Sequence, residues 1–161
     1  MTTAEYNQCV EQFSDGVYRF IAHQMRNREE AKDVVQDTFE KVWNHCGSVD
    51  FVRAKSYIFQ IAHNAMIDKI RKDKRKTDFS EVKESKYSVE YEYTDTERIV
   101  RKAMEKLPDA QREVILLRDF EGYDYKEIGE ILNLSESQVK VYIFRARTFL
   151  KNYLGSMQNV I

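Results

Sequence analysis

The scarcity of turn residues is the feature that most restricts the fold of this chain. Its 161 residues include one proline and five glycines. Sandwiches and barrels consist of many short strands, and their frequent connections need glycine, proline or another turn residue. Proline and glycine are also the residues that helix interiors tolerate least, so their rarity favours long helices. We therefore predict an all-α protein.

The composition fits a protein with a buried core and without membrane insertion. Hydrophobic residues make up 42% of the chain and charged residues 33%, with no long uncharged apolar run. Residues 1–10 have neither a basic flank nor an apolar stretch of secretory length, which predicts a cytoplasmic protein without a signal peptide. Cys9 and Cys46 fall at apolar positions and are expected to be buried free thiols.

Three amphipathic helices are predicted in the first 71 residues, where apolar side chains recur every three or four positions. The first covers residues 6–25. The second begins after the capping residue Asn27 and ends at Gly47. The third runs from residue 54 to 71 and finishes in a basic run. Among the side chains expected to face the core of this bundle are Phe20, Phe39, Val42, Trp43, Ile58 and Ile70.

A second helical domain is predicted beyond residues 77–96. That segment has no helical period and is rich in acidic, serine and threonine residues, which predicts a flexible acidic linker. Four helices are predicted after it, at residues 97–107, 109–120, 125–132 and 136–154. We therefore expect two small helical domains, residues 1–76 and 97–161, joined by the linker.

The last two predicted helices form a helix-turn-helix pattern. Asp124 with Glu127, and Ser135 with Gln138, are capping pairs at the two helix starts. Between the helices, Asn133 can adopt the left-handed conformation of a tight turn. Such a motif places its second helix in the major groove of DNA.

The second helix of this motif has a buried face and an exposed one. The buried face is predicted to be Val139, Ile143, Ala146 and Leu150. Cations on the other side suit phosphates and guanine edges, and apolar side chains there suit thymine methyl groups. The alternative is a plain helical hairpin with solvated basic residues. The candidate DNA-binding residues are Ser137, Lys140, Val141, Phe144, Arg145 and Arg147.

Charge is distributed unevenly, although the net charge is -1. Residues 51–76 carry eight basic and two acidic side chains, and residues 135–161 carry four and one, which indicates two contacts with nucleic acid. In contrast, an acidic stripe lies three to four residues apart on the predicted second helix. Such like charges cost an isolated helix about 0.2–0.5 kcal/mol per pair, which a basic partner would offset. An ordinary solvated face is the alternative. The stripe consists of Glu30, Asp33, Asp37 and Glu40.

Four segments together resemble one known family. They are residues 31–43 (AKDVVQDTFEKVW), 56–72 (SYIFQIAHNAMIDKIRK), 106–118 (KLPDAQREVILLR) and 125–147 (YKEIGEILNLSESQVKVYIFRAR). In sequence and order they are similar to bacterial RNA polymerase sigma factors of the extracytoplasmic-function (ECF) type. The resemblance implies a protein that binds core RNA polymerase and directs promoter-specific transcription initiation. Residues 1–76 would be sigma region 2 and residues 97–161 region 4. Gly129 stands where this family usually has alanine.

The resemblance also implies roles for individual residues. The last helix corresponds to the element that recognises the minus-thirty-five sequence of a promoter. A loop and the helix after it correspond to the site that melts the minus-ten element and captures an unstacked base, a task that suits a pocket with a basic rim. This second site comprises Ser48, Asp50, Phe51, Arg53, Lys55, Asn64, Arg71 and Lys72. The surface for the clamp helices of the polymerase's largest subunit corresponds to Asp33, Gln36, Asp37, Phe39 and Glu40.

Two other classes of protein compete with this interpretation. For an enzyme, no phosphate-binding glycine loop or nucleophile elbow occurs, and His45 with Cys46 lacks further metal ligands. We therefore expect no catalysis, metal or other cofactor. A dimeric helix-turn-helix regulator would explain the motif but not the acidic stripe or the basic run. The expected partners are core RNA polymerase and promoter DNA, and the resemblance implies an anti-sigma factor as well.

Overall fold

A computed structural model describes residues 1–79 and 94–158, with side chains for residues 1–76 and 94–156. The described residues form seven α-helices and no β-strand. The chain divides into two compact units, Met1–Glu90 and Tyr91–Ile161. The prediction of an all-α fold with two helical domains is confirmed. Among the described helices, none combines the length and the apolar character that crossing a membrane requires.

The first unit is a bundle of α1 (Thr3–Ala22), α2 (Arg28–Asn44) and α3 (Ala54–Phe79), each packed against the other two. Side-chain caps fix where the first two helices begin. Thr2 forms a capping box with Glu5, and the Asn27 carbonyl side chain accepts the backbone N–H groups of Glu29 and Glu30. The predicted start of the second helix is confirmed.

Helix α3 supplies much of the core of this unit. Its Ile58, Phe59 and Met66 are almost fully buried, and the ring of Phe59 meets that of Phe20 from α1 edge to face, with centroids 5.8 Å apart. Phe59 and Met66 were absent from the face predicted to be buried. Because α3 contacts both α1 and α2, its buried arc is wider than a single amphipathic stripe.

Several predictions for the first unit are wrong. Helix α2 ends at Asn44, not at Gly47, and Gly47 lies in a 3-10 turn, Cys46–Ser48, without the positive φ of a glycine cap. Trp43 is 47% exposed and Ile70 is 39% exposed, although both were expected in the core. Cys9 is buried as expected, whereas Cys46 is half-buried.

Most of the predicted linker, residues 80–93, lies outside the described residues. Helices extend into both ends of the predicted linker, since α3 continues to Phe79 and the next helix begins at Asp95. A capping box between Thr94 and Glu97 fixes this earlier start.

The second unit contains α4 (Asp95–Glu105), α5 (Asp109–Ile115), α6 (Tyr125–Leu132) and α7 (Glu136–Gln158). Helix α7 packs against each of the other three. The helical span predicted over residues 109–120 is confirmed, but only its first part is α-helical, because α5 continues as a π-helical turn, Leu116–Phe120. The fully buried side chains at the centre of this unit include Met104, Val114, Leu117, Ile128, Val139 and Ala146.

Candidate functional site

The turn between α6 and α7 has the geometry that the capping pattern predicts. Asp124 and Glu127 form a capping box at the start of α6, and the side chains of Ser135 and Gln138 exchange hydrogen bonds with each other's backbone N–H at the start of α7. Asn133 adopts a left-handed conformation, with φ 58° and ψ 50°. The helix-turn-helix motif is confirmed at each of these positions.

Gly129 allows the closest approach within this motif. The backbone N–H of Leu134 donates to the Gly129 carbonyl over 2.9 Å. A Cβ atom on residue 129 would lie 2.6 Å from the Leu134 carbonyl oxygen. The glycine therefore lets the turn pack directly onto the backbone of α6.

Helix α7 separates its buried and exposed faces as predicted. Val139, Ile143 and Ala146 are buried, and Leu150 is half-buried. Phe144 is 71% exposed, which is unusual for a side chain of this size in a free protein. The exposed face combines this aromatic ring with cations and so has the mixed chemistry of a groove-binding surface. It carries all six candidate DNA-binding residues: Ser137, Lys140, Val141, Phe144, Arg145 and Arg147.

Arg147 differs from the other five candidates because it has a partner within the protein. Its Nε donates to Oδ2 of Asp119 over 3.2 Å, and its Nη2 donates to Oδ1 of the same carboxylate. This two-pronged bond to Asp119 raises the pKa of Arg147 above its ordinary value. The structure therefore aims this guanidinium at the end of the π-helical turn.

The acidic stripe of α2 is exposed to solvent over most of its length. Asp33, Gln36, Asp37 and Glu40 are exposed, and Glu30 is half-buried. Burial raises the pKa of Glu30, and the nearby charge of Asp73 acts in the same direction. Phe39 does not share this surface, since it is 8% exposed and lies in the core.

The charge of Asp33 is partly balanced within the first unit. Its Oδ2 lies 3.9 Å from Nζ of Lys69 on α3. Asp37 and Glu40 have no ion pair among the described residues. These two carboxylates are therefore the part of the stripe that is most available to an external cation.

The predicted minus-ten loop is built from two 3-10 turns that lead into α3. Ser48 donates its hydroxyl to the His45 carbonyl over 3.0 Å, and the Asp50 carboxylate caps the second turn by accepting the Val52 N–H over 3.1 Å. Phe51 is half-buried, whereas Val52 next to it is 88% exposed. Arg53 is also exposed. The loop thus presents an apolar and a cationic side chain side by side.

Helix α3 brings only some of the remaining candidates to one face. Asn64 and Arg71 are seven residues apart, so they lie on the same side of the helix, with Lys72 at its edge. All three are exposed. Lys55 is nine residues before Asn64, which places it on the opposite side. The basic end of α3 and the start of α3 are therefore separate surfaces of the same element.

Comparisons with known proteins cover both units. A model of sigma-70 region 2 matches residues 9–76, and a model of sigma-70 region 4 matches residues 97–150. ECF RNA polymerase sigma factor SigM of Bacillus subtilis (strain 168) is 30% identical over 150 residues, which cover 90% of this chain and 92% of that protein.

The chain belongs to the ECF family of RNA polymerase sigma factors.

Two solved structures share the fold of this ECF protein. The sigma factor RpoE from Bartonella quintana, solved with the anti-sigma factor NepR, matches 93% of this chain and 96% of its own, with a TM-score of 0.78 and 25% identity. CnrH, solved with the cytosolic domain of CnrY, matches 94% of this chain and 88% of its own, with a TM-score of 0.72 and 26% identity.

The family membership decides between the functions that the sequence left open. This ECF sigma factor binds core RNA polymerase and directs promoter-specific transcription initiation. A dimeric helix-turn-helix regulator is not favoured, because the match to sigma region 2 extends through residues 9–76, outside the helix-turn-helix.

One exposed residue of this sigma factor was missed by the sequence analysis. Trp43 lies one turn after Glu40 on α2, at the edge of the acidic stripe. The Tyr6 ring packs against it edge to face at 5.0 Å, and the Tyr6 hydroxyl donates to the Phe39 carbonyl over 2.9 Å. The position of Trp43 three residues after Glu40 could have indicated that its ring lies beside the stripe.

Proposed function

We propose that this sigma factor divides its contacts with core polymerase and promoter DNA between its two units. Within the first unit, residues 1–76 act as sigma region 2, which binds core polymerase and recognises and melts the minus-ten element. Within the second unit, residues 97–161 act as region 4 and recognise the minus-thirty-five element. The residues between them, 77–96, act as the connection.

The opposite charges of two exposed helix faces support this proposal. Helix α2 presents Asp37 and Glu40 without an ion pair among the described residues, and α7 presents Lys140 and Arg145. DNA repels the first face and attracts the second. The acidic face therefore suits a basic protein surface, and the basic face suits DNA.

The polymerase contact consists of the exposed acidic stripe together with the tryptophan at its edge. Tryptophan is among the residues that contribute most to protein interfaces, particularly when its ring is already held in place. Tyr6 holds the Trp43 ring in this way. Phe39 acts from the core by supporting the helix. The contact residues are Asp33, Gln36, Asp37, Glu40 and Trp43.

The minus-ten contact combines the loop before α3 with the exposed basic end of that helix. An unstacked base needs an apolar or aromatic neighbour, and the strand needs cations along its backbone. The loop provides Phe51 and Val52. The cations are Arg53 next to them and Arg71 and Lys72 at the basic end of α3. The residues assigned to this contact are Ser48, Asp50, Phe51, Arg53, Asn64, Arg71 and Lys72, whereas Lys55 lies on the opposite side of α3 and is left out.

The wider setting follows from the same assignment. The protein acts without catalysis of its own, in the cytoplasm, where RNA polymerase works. An anti-sigma factor is a further partner, because two solved structures with this fold, RpoE and CnrH, were obtained with such regulators or with the cytosolic domain of a partner.

Charge reversal of the stripe tests the assignment of the polymerase contact. The double variant Asp37→Lys with Glu40→Lys should lose capture by core polymerase in a pull-down, since both side chains are exposed and would repel a basic surface. Its thermal midpoint should stay close to that of the wild type, because neither carboxylate has an ion pair among the described residues.

A matched control is available on α1. Glu11 and Asp15 are exposed acidic residues separated by four positions, and Glu11→Lys with Asp15→Lys changes the net charge by the same amount. This control should retain capture by polymerase. Normal capture of the α2 variant, or equal loss in both variants, would contradict the proposed contact.

A further inference from the structure

The π-helical turn at the end of α5 is the irregular element of the second unit. The Glu121 N–H donates to the Leu116 carbonyl, five residues back, over 3.1 Å. Gly122 then ends the turn with a φ of 77°. Such wide turns are rare, and they occur mostly as single turns at functional positions. This one directly precedes the helix-turn-helix motif, so its side chains can reach both helices of that motif.

Two consecutive residues of the turn contact different parts of the motif. Arg118 donates from Nη1 to the Tyr123 carbonyl over 2.9 Å, and its guanidinium lies 5.1 Å from the centre of the Tyr125 ring at the start of α6. Asp119 accepts two N–H groups from Arg147 on α7. The turn therefore connects to α6 through Arg118 and to α7 through Asp119.

The Asp119–Arg147 pair commits the Nε–Nη2 edge of Arg147 to Asp119, so that a contact between Arg147 and DNA would have only the remaining N–H groups. A two-pronged guanidinium–carboxylate bond uses one edge of the planar group and fixes its orientation. If Arg147 turned to a phosphate, Asp119 would be left as an unpaired anion close to the DNA. Arg145 and Lys140 on the same helix have no such partner among the described residues.

We propose that Arg147 is a positioning residue rather than a DNA contact. Together with Asp119 and Arg118 it fixes the orientation of α7 relative to α6, so that the exposed side chains near its start reach base edges in a constant register. Side chains that read bases need such support, because small displacements break their hydrogen bonds. The inference rests on the proposed role of α7 in promoter recognition.

The test measures base preference with the reconstituted holoenzyme. Core polymerase with the full chain would transcribe a promoter library randomised over the upstream element, and the enrichment of the favoured sequences gives the preference. Asp119→Asn should reduce this preference about fivefold or more, the lower end of what a base contact contributes. Under a direct phosphate contact, the same variant would free Arg147 and remove a repelling charge, so binding would tighten with the preference unchanged.

The variant Arg147→Lys distinguishes the positioning role from a direct phosphate contact in a second way. Lysine keeps the positive charge but cannot form the planar two-pronged bond. A positioning role predicts a loss of preference similar to that of Asp119→Asn, with an unchanged salt dependence. A phosphate contact predicts normal preference for Arg147→Lys, and for Arg147→Gln a salt slope that is smaller by about 0.9. That second pattern would overturn the inference.

Charge exchange provides the rescue experiment. The double variant Asp119→Arg with Arg147→Asp should recover part of the preference lost in each single variant, because the pair can form in reverse. A half-exposed ion pair contributes little to folding, so thermal midpoints should vary little across the series. A loss of preference that follows the midpoint, or a double variant worse than both single ones, would contradict the positioning role.

Two controls keep this test separate from that of the proposed function. Lys151→Gln removes an exposed cation from the same helix and should leave the base preference intact. Lys140→Ala should reduce it if α7 recognises DNA. If Lys140→Ala has no effect, the role of α7 in recognition fails. If Lys140→Ala acts but Asp119→Asn does not, only the positioning role of Arg147 fails.

Discussion

Helices α2 and α7 share one pattern of buried and exposed residues, but their exposed faces carry opposite charges. Each buries one apolar face in its own unit and exposes a large aromatic side chain, Trp43 in α2 and Phe144 in α7. The exposed charges differ, since Asp37 and Glu40 lie beside the tryptophan, whereas Lys140 and Arg145 lie near the phenylalanine. The apolar pattern thus determines how each helix packs, and the sign of the exposed charge determines its class of partner.

Removing the aromatic side chain of α2 should have the largest effect of a single substitution. Trp43→Ala is expected to weaken polymerase binding by about 2 kcal/mol or more, since exposed tryptophans at interfaces are frequent hot spots. Titration of labelled core polymerase would measure the change, with Trp43→Phe as the conservative control. Unchanged affinity for Trp43→Ala would show that the acidic charges act without an aromatic anchor.

Removing cations from α7 should change promoter choice and leave polymerase binding intact. Lys140→Ala and Arg145→Ala should each cost about 1–3 kcal/mol if the side chain contacts a base, and the preferred bases should then change. A phosphate contact would weaken all sequences equally and reduce the salt dependence. Transcription from a promoter library distinguishes the two contacts. Unchanged output for both variants would remove α7 from promoter recognition.

The tight turn of the helix-turn-helix has no counterpart among the described residues of the first unit and should tolerate less change. Gly129→Ala is expected to destabilise the second unit by about 1–2 kcal/mol, because overpacking against the Leu134 carbonyl exceeds the gain in helix propensity. Gly155→Ala is the matched control, since a Cβ there meets no atom within 4 Å. Urea unfolding of both variants would measure the difference. Equal stability would show that the turn relaxes without cost.

The smallest effect concerns the half-buried end of the acidic stripe. Burial raises the pKa of Glu30 above the ordinary 4.5, so its ionised form is less favourable in the folded protein than in the unfolded chain. The stability that this group contributes is present below pH 4.5 and is lost as the pH rises through the raised pKa. Glu30→Gln should therefore show a flatter dependence of the thermal midpoint on pH above 4.5. An identical slope in the wild type would contradict the pKa shift.

The helix-turn-helix was the most predictable part of the molecule. Its boundaries depend on local hydrogen bonds of Asp124, Ser135 and Asn133, which neighbouring residues alone determine. The α6 bounds therefore agree with the prediction residue for residue. The buried and exposed faces of α7 were also predictable, because a single apolar face of this helix packs against the other helices of the second unit.

The errors fall where tertiary packing overrides the local pattern. Phe59 is buried because α3 has neighbours on two sides, and Ile70 is exposed in the later part of the same helix. Trp43 follows the apolar period but lies at the edge of the buried arc. The pairing of Asp119 with Arg147 joins residues 28 positions apart, so neither residue's sequence neighbours could reveal it.

We expect promoter specificity to belong to the complex with polymerase and not to the free chain. Nucleic-acid affinity depends largely on neutralised phosphates, and this chain has a net charge of -1 with cations concentrated in two segments. When polymerase holds the first unit on the promoter, the two weak DNA contacts of this chain act as one bivalent contact. Binding of promoter fragments should therefore be measured over a salt series, with and without core polymerase. We expect sequence-specific binding at physiological salt only when this protein and polymerase are both present, whereas tight, sequence-specific binding by the isolated protein would contradict this expectation.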